Sequence, residues 1–300
     1  MADKSNIEWT DSTFNPWEGC TKVGPGCDNC YAENRNARFA GGTAINWGPG
    51  APRRRTSTAN WNLPKRWNAQ ADAFMAQHGR RQRVFCASLA DVFDNAVDPQ
   101  WRADLFELIE RTPNLDWLLL TKRVGNVVPM SMNANWPMPM PRNIWLGASI
   151  VNREEMLRDG PKLKQVPARV HFWSCEPLLS DLGEIPRELM PHWIIAGGES
   201  GPGARPMHPD WARSLRDQCE AAGVPFLFKQ WGEWTPGEYV ERQRGTVDTA
   251  FLRDDGWHIY PLNLATDDGH IDDEPDLYRV GKKEAGRLLD GRTWDGVPTP

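Results

Sequence analysis

From about residue 84, short apolar runs alternate with helical patterns, and this alternation limits the fold more than any other feature of the chain. The runs are VFCAS (84–88), WLLLT (117–121), IWLGAS (144–149), VHFWS (170–174), WIIAG (193–197) and PFLFK (225–229). Between them, PQWRADLFELIERT (99–112), REEMLRDGPKLKQ (153–165) and HPDWARSLRDQCEAAG (208–223) have helical spacing. In the last, Trp211, Leu215, Cys219 and Ala222 share one face and Gly223 is the expected stop. Continuous apolar strands separated by helices mean a parallel sheet covered on its faces, an α/β fold. An extended segment near Thr13–Trp17 adds a seventh candidate strand. The connection at 175–192 has no clear helix, yet the regular repetition favours a partial or full parallel (β/α) barrel over a doubly wound sheet.

Residues 1–235 are expected to form this barrel, interrupted at about 41–67 by an insertion rich in Gly, Pro and Arg. From 236 to 300 the rhythm is lost. That region carries an acidic patch, ATDDGHIDDEPD (265–276), and a helical pattern around Lys282–Leu289 that stops near Gly291. It reads as an appendage of short strands and one helix packed on the barrel. Polar residues fall just beyond the apolar runs: Ser88 and Asp91, Lys122 and Arg123, Ser149, Ser174 and Glu176, Glu199 and Ser200, Lys229 and Gln230. Barrel enzymes place their sites at the carboxyl ends of the strands, so these residues are expected on one rim.

A loop of cysteines should open on that rim. Cys20, Cys27 and Cys30 lie in FNPWEGCTKVGPGCDNCYAE with the spacing C-x6-C-x2-C, and Gly24, Pro25 and Gly26 give the loop its turns. No window approaches the roughly 18 uninterrupted apolar residues of a membrane span, and the N-terminus lacks a signal pattern. A cytoplasmic protein with no membrane partner is expected, and in a reducing compartment clustered cysteines read as metal or catalytic thiols. Three readings stand: an iron–sulfur cluster with one open iron, a zinc site, or structural cysteines. Zinc usually takes four protein ligands, and the histidine closest to the loop is His78. Cys86, Cys175 and Cys219 sit in apolar surroundings and read as core thiols.

Elsewhere, Glu176 before a proline suits an amino group or ribose hydroxyls, against a structural salt bridge as the plainer reading. Gly197-Gly198-Glu199-Ser200-Gly201 allows close backbone approach to a ligand. Asp91 and Asp94 either hold substrate or cap the next segment. Lys122, Arg123 and Lys229 are placed to meet a carboxylate or phosphate. The net charge of −5 excludes an indiscriminate nucleic-acid coating protein. Arg53, Arg54 and Arg55, with Lys65-Arg66, Arg80-Arg81 and Arg83 and with Trp47, Trp61 and Trp67 interleaved, suit phosphate contact and base stacking. The alternative is an ordinary solvated surface. Sixteen tryptophans against four tyrosines is a skew that points to no single function.

The cysteine loop after the first strand of a βα series resembles the radical S-adenosylmethionine superfamily. More closely, NPWEGCTKVGPGCDNCYAE, SLADVFD, LLLTKR, SCEPLL, IIAGGESG, FLFKQWGEW and GKKEAGRLLDGRTWDG resemble a phage-associated, three-cysteine-motif family described as radical-SAM-like. The likeness runs from Trp9 to Gly296. It implies a barrel of six parallel strands and a 4Fe–4S cluster held by Cys20, Cys27 and Cys30, with S-adenosylmethionine on the fourth iron. It implies a 5′-deoxyadenosyl radical, an external electron donor and a nucleic-acid or nucleotide substrate, with a phage-encoded partner protein and the host cytoplasm as setting. Isomerisation or modification of a base, such as thymine hypermodification of viral DNA that evades host restriction, is the expected task. Tyr31, Ser88, Ser149, Glu176, Gly198 and Glu199 are the positions assigned to the cofactor, and Arg53, Arg54, Arg55, Lys122 and Lys229 those assigned to substrate or nucleic acid. The chain departs from the superfamily in the six-residue first gap, in Asn29 where an aromatic usually precedes the last cysteine, and in carrying Gly-Gly-Glu after a late strand. A non-catalytic iron–sulfur or zinc DNA accessory protein and a lesion-repair lyase are the alternatives.

Overall fold

The apolar runs become the strands of one seven-stranded, all-parallel sheet in a computed structural model that describes residues 5–136, 138–240, 245–263 and 277–299. The strands are β1 (Ser12–Thr13), β2 (Gln82–Cys86), β3 (Leu115–Thr121), β4 (Ile144–Ser149), β5 (Val170–Cys175), β6 (Trp193–Gly197) and β7 (Phe226–Gln230). They lie side by side in sequence order, and the sheet curls into an open half-barrel. Helices α1 (Tyr31–Phe39), α2 (Pro99–Glu110), α3 (Val127–Asn133), α4 (Arg153–Gln165) and α5 (Pro209–Ala222) join most of the strands. No helix spans the β5–β6 connection, as its sequence indicates.

Local chemistry sets the helix ends. Asp98 and Asn152 accept backbone N–H bonds at the starts of α2 and α4. Gly223 closes α5 with a left-handed φ of 66°. The buried stripe of α5 is Ala212, Leu215 and Cys219, with Trp211 half-buried and Ala222 exposed, so the stripe is rotated slightly from the expected one. The first extended segment is also shorter than expected. Ser12 and Thr13 pair with Val84 and Phe85, and Trp17–Glu18 then forms an antiparallel pair with Arg54–Arg55. Pro16 between them has no N–H to continue a ladder.

Period-2 alternation divides the sheet residues between two cores. Val84, Cys86, Trp117, Leu119, Ile144, Leu146, Trp173, Cys175, Ile194 and Ala196 face the helix-covered core. Phe85, Leu118, Trp145, Phe172, Trp193, Ile195 and Leu227 face the other side, where Trp9 packs on Phe85 and Trp193. Gly147 admits the Phe172 ring, since a Cβ there would lie 2.3 Å from it. Eight of the tryptophans are fully buried, which makes the aromatic skew a property of the core. At roughly 150–250 Å² per aromatic and about 25 cal/mol per Å², each contributes about 4–6 kcal/mol of gross transfer free energy. Cys86, Cys175 and Cys219 are core thiols as expected.

After β7 an antiparallel sheet follows, β8 (Trp234–Pro236), β9 (Thr246–Arg253), β10 (Gly256–Asn263) and β11 (Leu277–Arg279), in the order β8-β11-β9-β10. The helix expected around Lys282–Leu289 is only Lys282–Ala285, because Gly286 leaves helical geometry with a φ of 68°. The acidic patch at 265–276 lies outside the described residues. Among the described residues no helix is long and apolar enough to cross a membrane.

Candidate functional site

The cysteine loop leaves the half-barrel after β1 and runs beside the segment that follows β2. Gly19 donates its N–H to the Leu89 carbonyl at 3.0 Å, and Cys20 bridges Trp47. Gly19 has a φ of 112°, and a Cβ there would meet the Asn46 carbonyl at 2.5 Å, so only glycine fits. A 3-10 turn at Pro25–Cys27 then delivers Cys30 to the position just before α1. All three thiols are free; Cys27 is buried and Cys20 and Cys30 are half-buried. Among the described residues no three His, Cys, Asp or Glu side chains gather to hold a metal ion. The loop carries its free thiols at separate places: Cys20 at the bridge to Trp47, Cys27 in the 3-10 turn and Cys30 at the start of α1.

Two arginine locks fasten the loop. At the first cysteine, Arg123 donates to Cys20 Sγ at 3.5 Å, to the Thr21 carbonyl at 2.7 Å and to Asp91 Oδ2 at 3.0 Å. Arg53 donates to Asp94 Oδ2 at 2.8 Å and to Thr21 Oγ1 at 2.7 Å. Asp91 also accepts from Thr121 Oγ1 at 2.8 Å and the Lys122 N–H at 3.0 Å, which ties the loop to the end of β3. Burial pushes the Cys20 thiol up to about 11, aided by Asp91, with the Arg123 cation opposing. Asp91 and Asp94 are therefore buried counterions of the lock. Arg53, with a side chain only 1% exposed, is an internal strut and not a surface contact.

At the other end, Arg205 donates to both Glu199 oxygens, at 2.9 and 2.8 Å, to Asp28 Oδ2 at 3.0 Å and to the Pro25 carbonyl at 2.8 Å. Asn29 donates to Glu199 Oε2 at 2.9 Å and to the Gly203 carbonyl at 2.7 Å. Glu199 thus clasps the cysteine loop to the segment after β6. Gly198 is needed there because a Cβ would come 1.8 Å from the Trp231 carbonyl, so the close approach is to this chain's own backbone. Burial disfavours the Glu199 charge, but the Arg205 side chain and backbone N–H and the Asn29 amide outweigh it and hold the carboxyl below its usual range. Such a carboxylate contributes stability that is complete above its unfolded value of about 4.3 and lost as pH falls through the folded value. The urea midpoint should fall across that acid window in the parent and less steeply in Glu199→Gln. Parallel acid profiles would remove Glu199 from this role.

Between the locks lies the mouth of the half-barrel. Continuing the inward parity of β3, β4, β5 and β7 past the aromatic plug gives Lys122, Ser149, Ser174, Glu176 and Lys229. Lys122 Nζ donates to Ser149 Oγ at 2.9 Å, Ser174 Oγ to Glu176 Oε2 at 3.3 Å, and Lys229 Nζ pairs with Glu176 Oε1 at 2.9 Å. A Cβ on Gly26 of the cysteine loop would stand 3.5 Å from Lys122 Cε, so this polar floor meets the loop. The Tyr31 hydroxyl donates to the Ser88 carbonyl, joining α1 to the end of β2. Beside the mouth a cleft of about 460 Å³ is lined by Pro25, Arg153, Leu179, Ser180, Arg205 and Trp257, among others. Sequence reasoning missed Arg153, Arg205 and Trp257. Arg205 closes the glycine-rich GESGPGARP stretch, a signal that could have marked it.

The remaining arginines lie elsewhere. Arg54 pairs with Glu18 and is exposed, and Arg55 pairs with Asp104 at 2.6 Å while its guanidinium stands 4.3 Å over the Trp61 ring. Arg55, Trp61, Lys65 and Arg111 help line a second cleft of about 240 Å³. Trp67 is buried and unavailable for stacking.

The family described as protein of unknown function (DUF5131) matches residues 4–298, and the chain belongs to it. No curated protein and no solved structure matches the chain.

Proposed function

We propose that this protein is a radical S-adenosylmethionine enzyme that modifies or isomerises a nucleic-acid base, as polymer or nucleotide precursor. One observation carries the reading: a loop of three free cysteines opens onto the polar floor of a parallel half-barrel at the strand ends. Cys20, Cys27 and Cys30 would hold the 4Fe–4S cluster and leave one iron for the cofactor. The chemistry such a group would supply, with an external one-electron donor and S-adenosylmethionine, is radical removal of hydrogen from an unactivated carbon. The protein's own residues bind, orient and exclude water. Ser88, Ser149 and Glu176 would meet the polar cofactor, and Tyr31, whose hydroxyl donates to the Ser88 carbonyl, would brace α1 at the end of β2. Lys122 and Lys229 offer cations to a carboxylate or phosphate. In the neighbouring cleft Arg153 and Trp257 would offer a guanidinium and an indole to a nucleotide beside the loop. Gly198 and Glu199 support the site through the loop clasp.

The test is anaerobic reconstitution with iron and sulfide. The expected result is a brown protein that cleaves S-adenosylmethionine to 5′-deoxyadenosine on reduction; a colourless protein with one tight zinc would defeat the proposal. For the substrate, nucleoside mass spectrometry of phage DNA made with and without this gene should show the loss of a modified base, and identical profiles would reject the base-modification task. Arg55 provides a separate check on nucleic-acid binding. Arg55→Gln should weaken binding and reduce the salt slope by roughly 0.7–0.9 per lost phosphate contact. An unchanged slope would leave Arg55 its pairing with Asp104 and its packing on Trp61.

A further inference from the structure

The strand starts, at the end of the half-barrel opposite the mouth, hold an excess of positive charge that the proposed function does not use. Period-2 alternation puts Arg83 on the same face as Phe85 and Asp116 on the same face as Leu118, one step nearer the strand starts. The two are register partners on β2 and β3, yet they do not pair. Asp116 takes Arg81 Nε at 3.3 Å. Asp11 takes Arg80 through both oxygens, at 2.7 and 2.8 Å, and the Arg83 backbone N–H at 2.8 Å. Arg80, Arg81, Arg83 and Arg169 all act electrostatically on Asp116. Four guanidinium cations against Asp11 and Asp116, both already engaged, leave an excess of two charges. Arg83 is the member left over. Its guanidinium stands 5.6 Å from the Trp145 ring centroid, at the foot of the aromatic plug, and among the described residues its side chain has no hydrogen bond and no ion pair. Burial and the Arg80 charge push Arg83 down to about 10, with Asp11 and Asp116 opposing. A half-buried cation that has given up water without gaining a partner is costly, and its planar fork of N–H donors matches an oxyanion.

We propose that Arg83 binds the phosphate group of a small ligand at the foot of the half-barrel, with Arg169 supplying a second positive charge at the rim. Arg169 is exposed just before β5 and, among the described residues, has no ion pair. An excess of two charges suits a phosphate dianion better than a single carboxylate. Asp11 and Asp116 flank Arg83, so a run of phosphates along a polymer would meet carboxylates where a single phosphate would not. The site is separate from the mouth, because the plug of Trp9, Trp145, Phe172 and Trp193 lies between them. It needs nothing from the cysteine loop, so iron uptake and phosphate binding stand or fall independently.

The test uses inorganic phosphate on the full chain. Melting would be followed as sodium phosphate replaces sodium chloride at constant ionic strength, and the phosphate dissociation constant measured by calorimetry. The parent should gain stability with phosphate, as a ligand that binds only the folded state requires. Arg83→Met should remove that gain and raise the dissociation constant roughly tenfold or more, the factor equivalent to losing one hydrogen bond to a charged group. Arg83→Lys and Arg169→Met should each weaken phosphate by a smaller factor. No gain in the parent, or equal gains in the parent and Arg83→Met, would overturn the proposal, since a general salt effect does not depend on one arginine. Should Arg83→Met fail to fold, Arg83→Lys and Arg169→Met decide it, and undiminished phosphate binding in both would overturn it. Affinity for a short single-stranded oligonucleotide should be the same in the parent and Arg83→Met. A drop there would assign Arg83 to a nucleic-acid backbone and overturn the small-ligand site.

Discussion

Arg53→Met is expected to cost about 3–5 kcal/mol of folding stability, the range for removing one partner of a buried ion pair. The Arg53 and Asp94 side chains are 1% and 4% exposed and meet at 2.8 Å. Arg53 also donates to the carbonyls of Asn46 and Ala51, at 3.2 and 2.9 Å, so methionine would orphan several acceptors at once. Asp94 keeps the Ala96 N–H at 3.2 Å and the more distant Arg123, which places the cost toward the lower end. With roughly 2–4 °C lost per kcal/mol in domains of 150–250 residues, a cost of about 3 kcal/mol should lower the melting temperature by about 6–12 °C. Arg54→Met is the control: its side chain is 64% exposed, and its pairing with Glu18 is a surface contact whose loss should stay within about 0.5 kcal/mol. Arg53→Met/Asp94→Leu should be milder than Arg53→Met, because the carboxylate that loses its partner is removed with it and Arg123 keeps Asp91. Equal melting shifts for Arg53→Met and Arg54→Met would refute the assignment of Arg53 as a strut.

Arg53 also shows where the sequence stops being informative. Arg53, Arg54 and Arg55 are identical in type and adjacent, and composition alone offers them as one basic patch. Their fates diverge because Arg54 and Arg55 form a short strand against Trp17–Glu18, while Arg53 turns inward to Asp94, 41 residues away. The parallel sheet was legible because apolar continuity and helical spacing are local properties. Gly223 at the end of α5 and the missing helix before β6 were legible for the same reason. The mouth was partly legible. Lys122, Ser149, Glu176 and Lys229 stand at strand ends, and the βα rhythm alone brings them to one rim. The two locks were not legible, since Cys20 to Arg123 and Asn29 to Glu199 are contacts across 103 and 170 residues. For want of their arginine partners, Glu199 reads as a cofactor contact and Asp91 as either a substrate contact or a cap, of which the cap is present in its bond from the Phe93 N–H. A carboxylate beside a turn has the same sequence signature whether it awaits a ligand or already holds a guanidinium.

The cysteines should behave as a set. Cys20→Ala, Cys27→Ala and Cys30→Ala are each expected to remove the colour of the reconstituted protein and to reduce S-adenosylmethionine cleavage to background. That loss should exceed the roughly 10–100-fold that removal of an outer partner of a metal ligand costs. The reason lies in the donor count: three thiolates leave one iron open, and two thiolates leave the group held by half its corners. Stability should separate the three variants even where activity does not. Cys27 is buried, so its alanine variant loses packing in the turn, whereas half-buried Cys30 at the start of α1 should cost less. Cys86→Ala and Cys219→Ala serve as controls; both are fully buried and should lower the melting temperature while retaining iron and cleavage. The discriminating pattern is iron loss confined to positions 20, 27 and 30, with destabilisation alone at 86 and 219. If Cys27→Ala keeps both iron and cleavage, the loop is a structural turn held by its arginine locks. The chemistry would then have to be sought in the Lys122, Ser149, Glu176 and Lys229 floor alone.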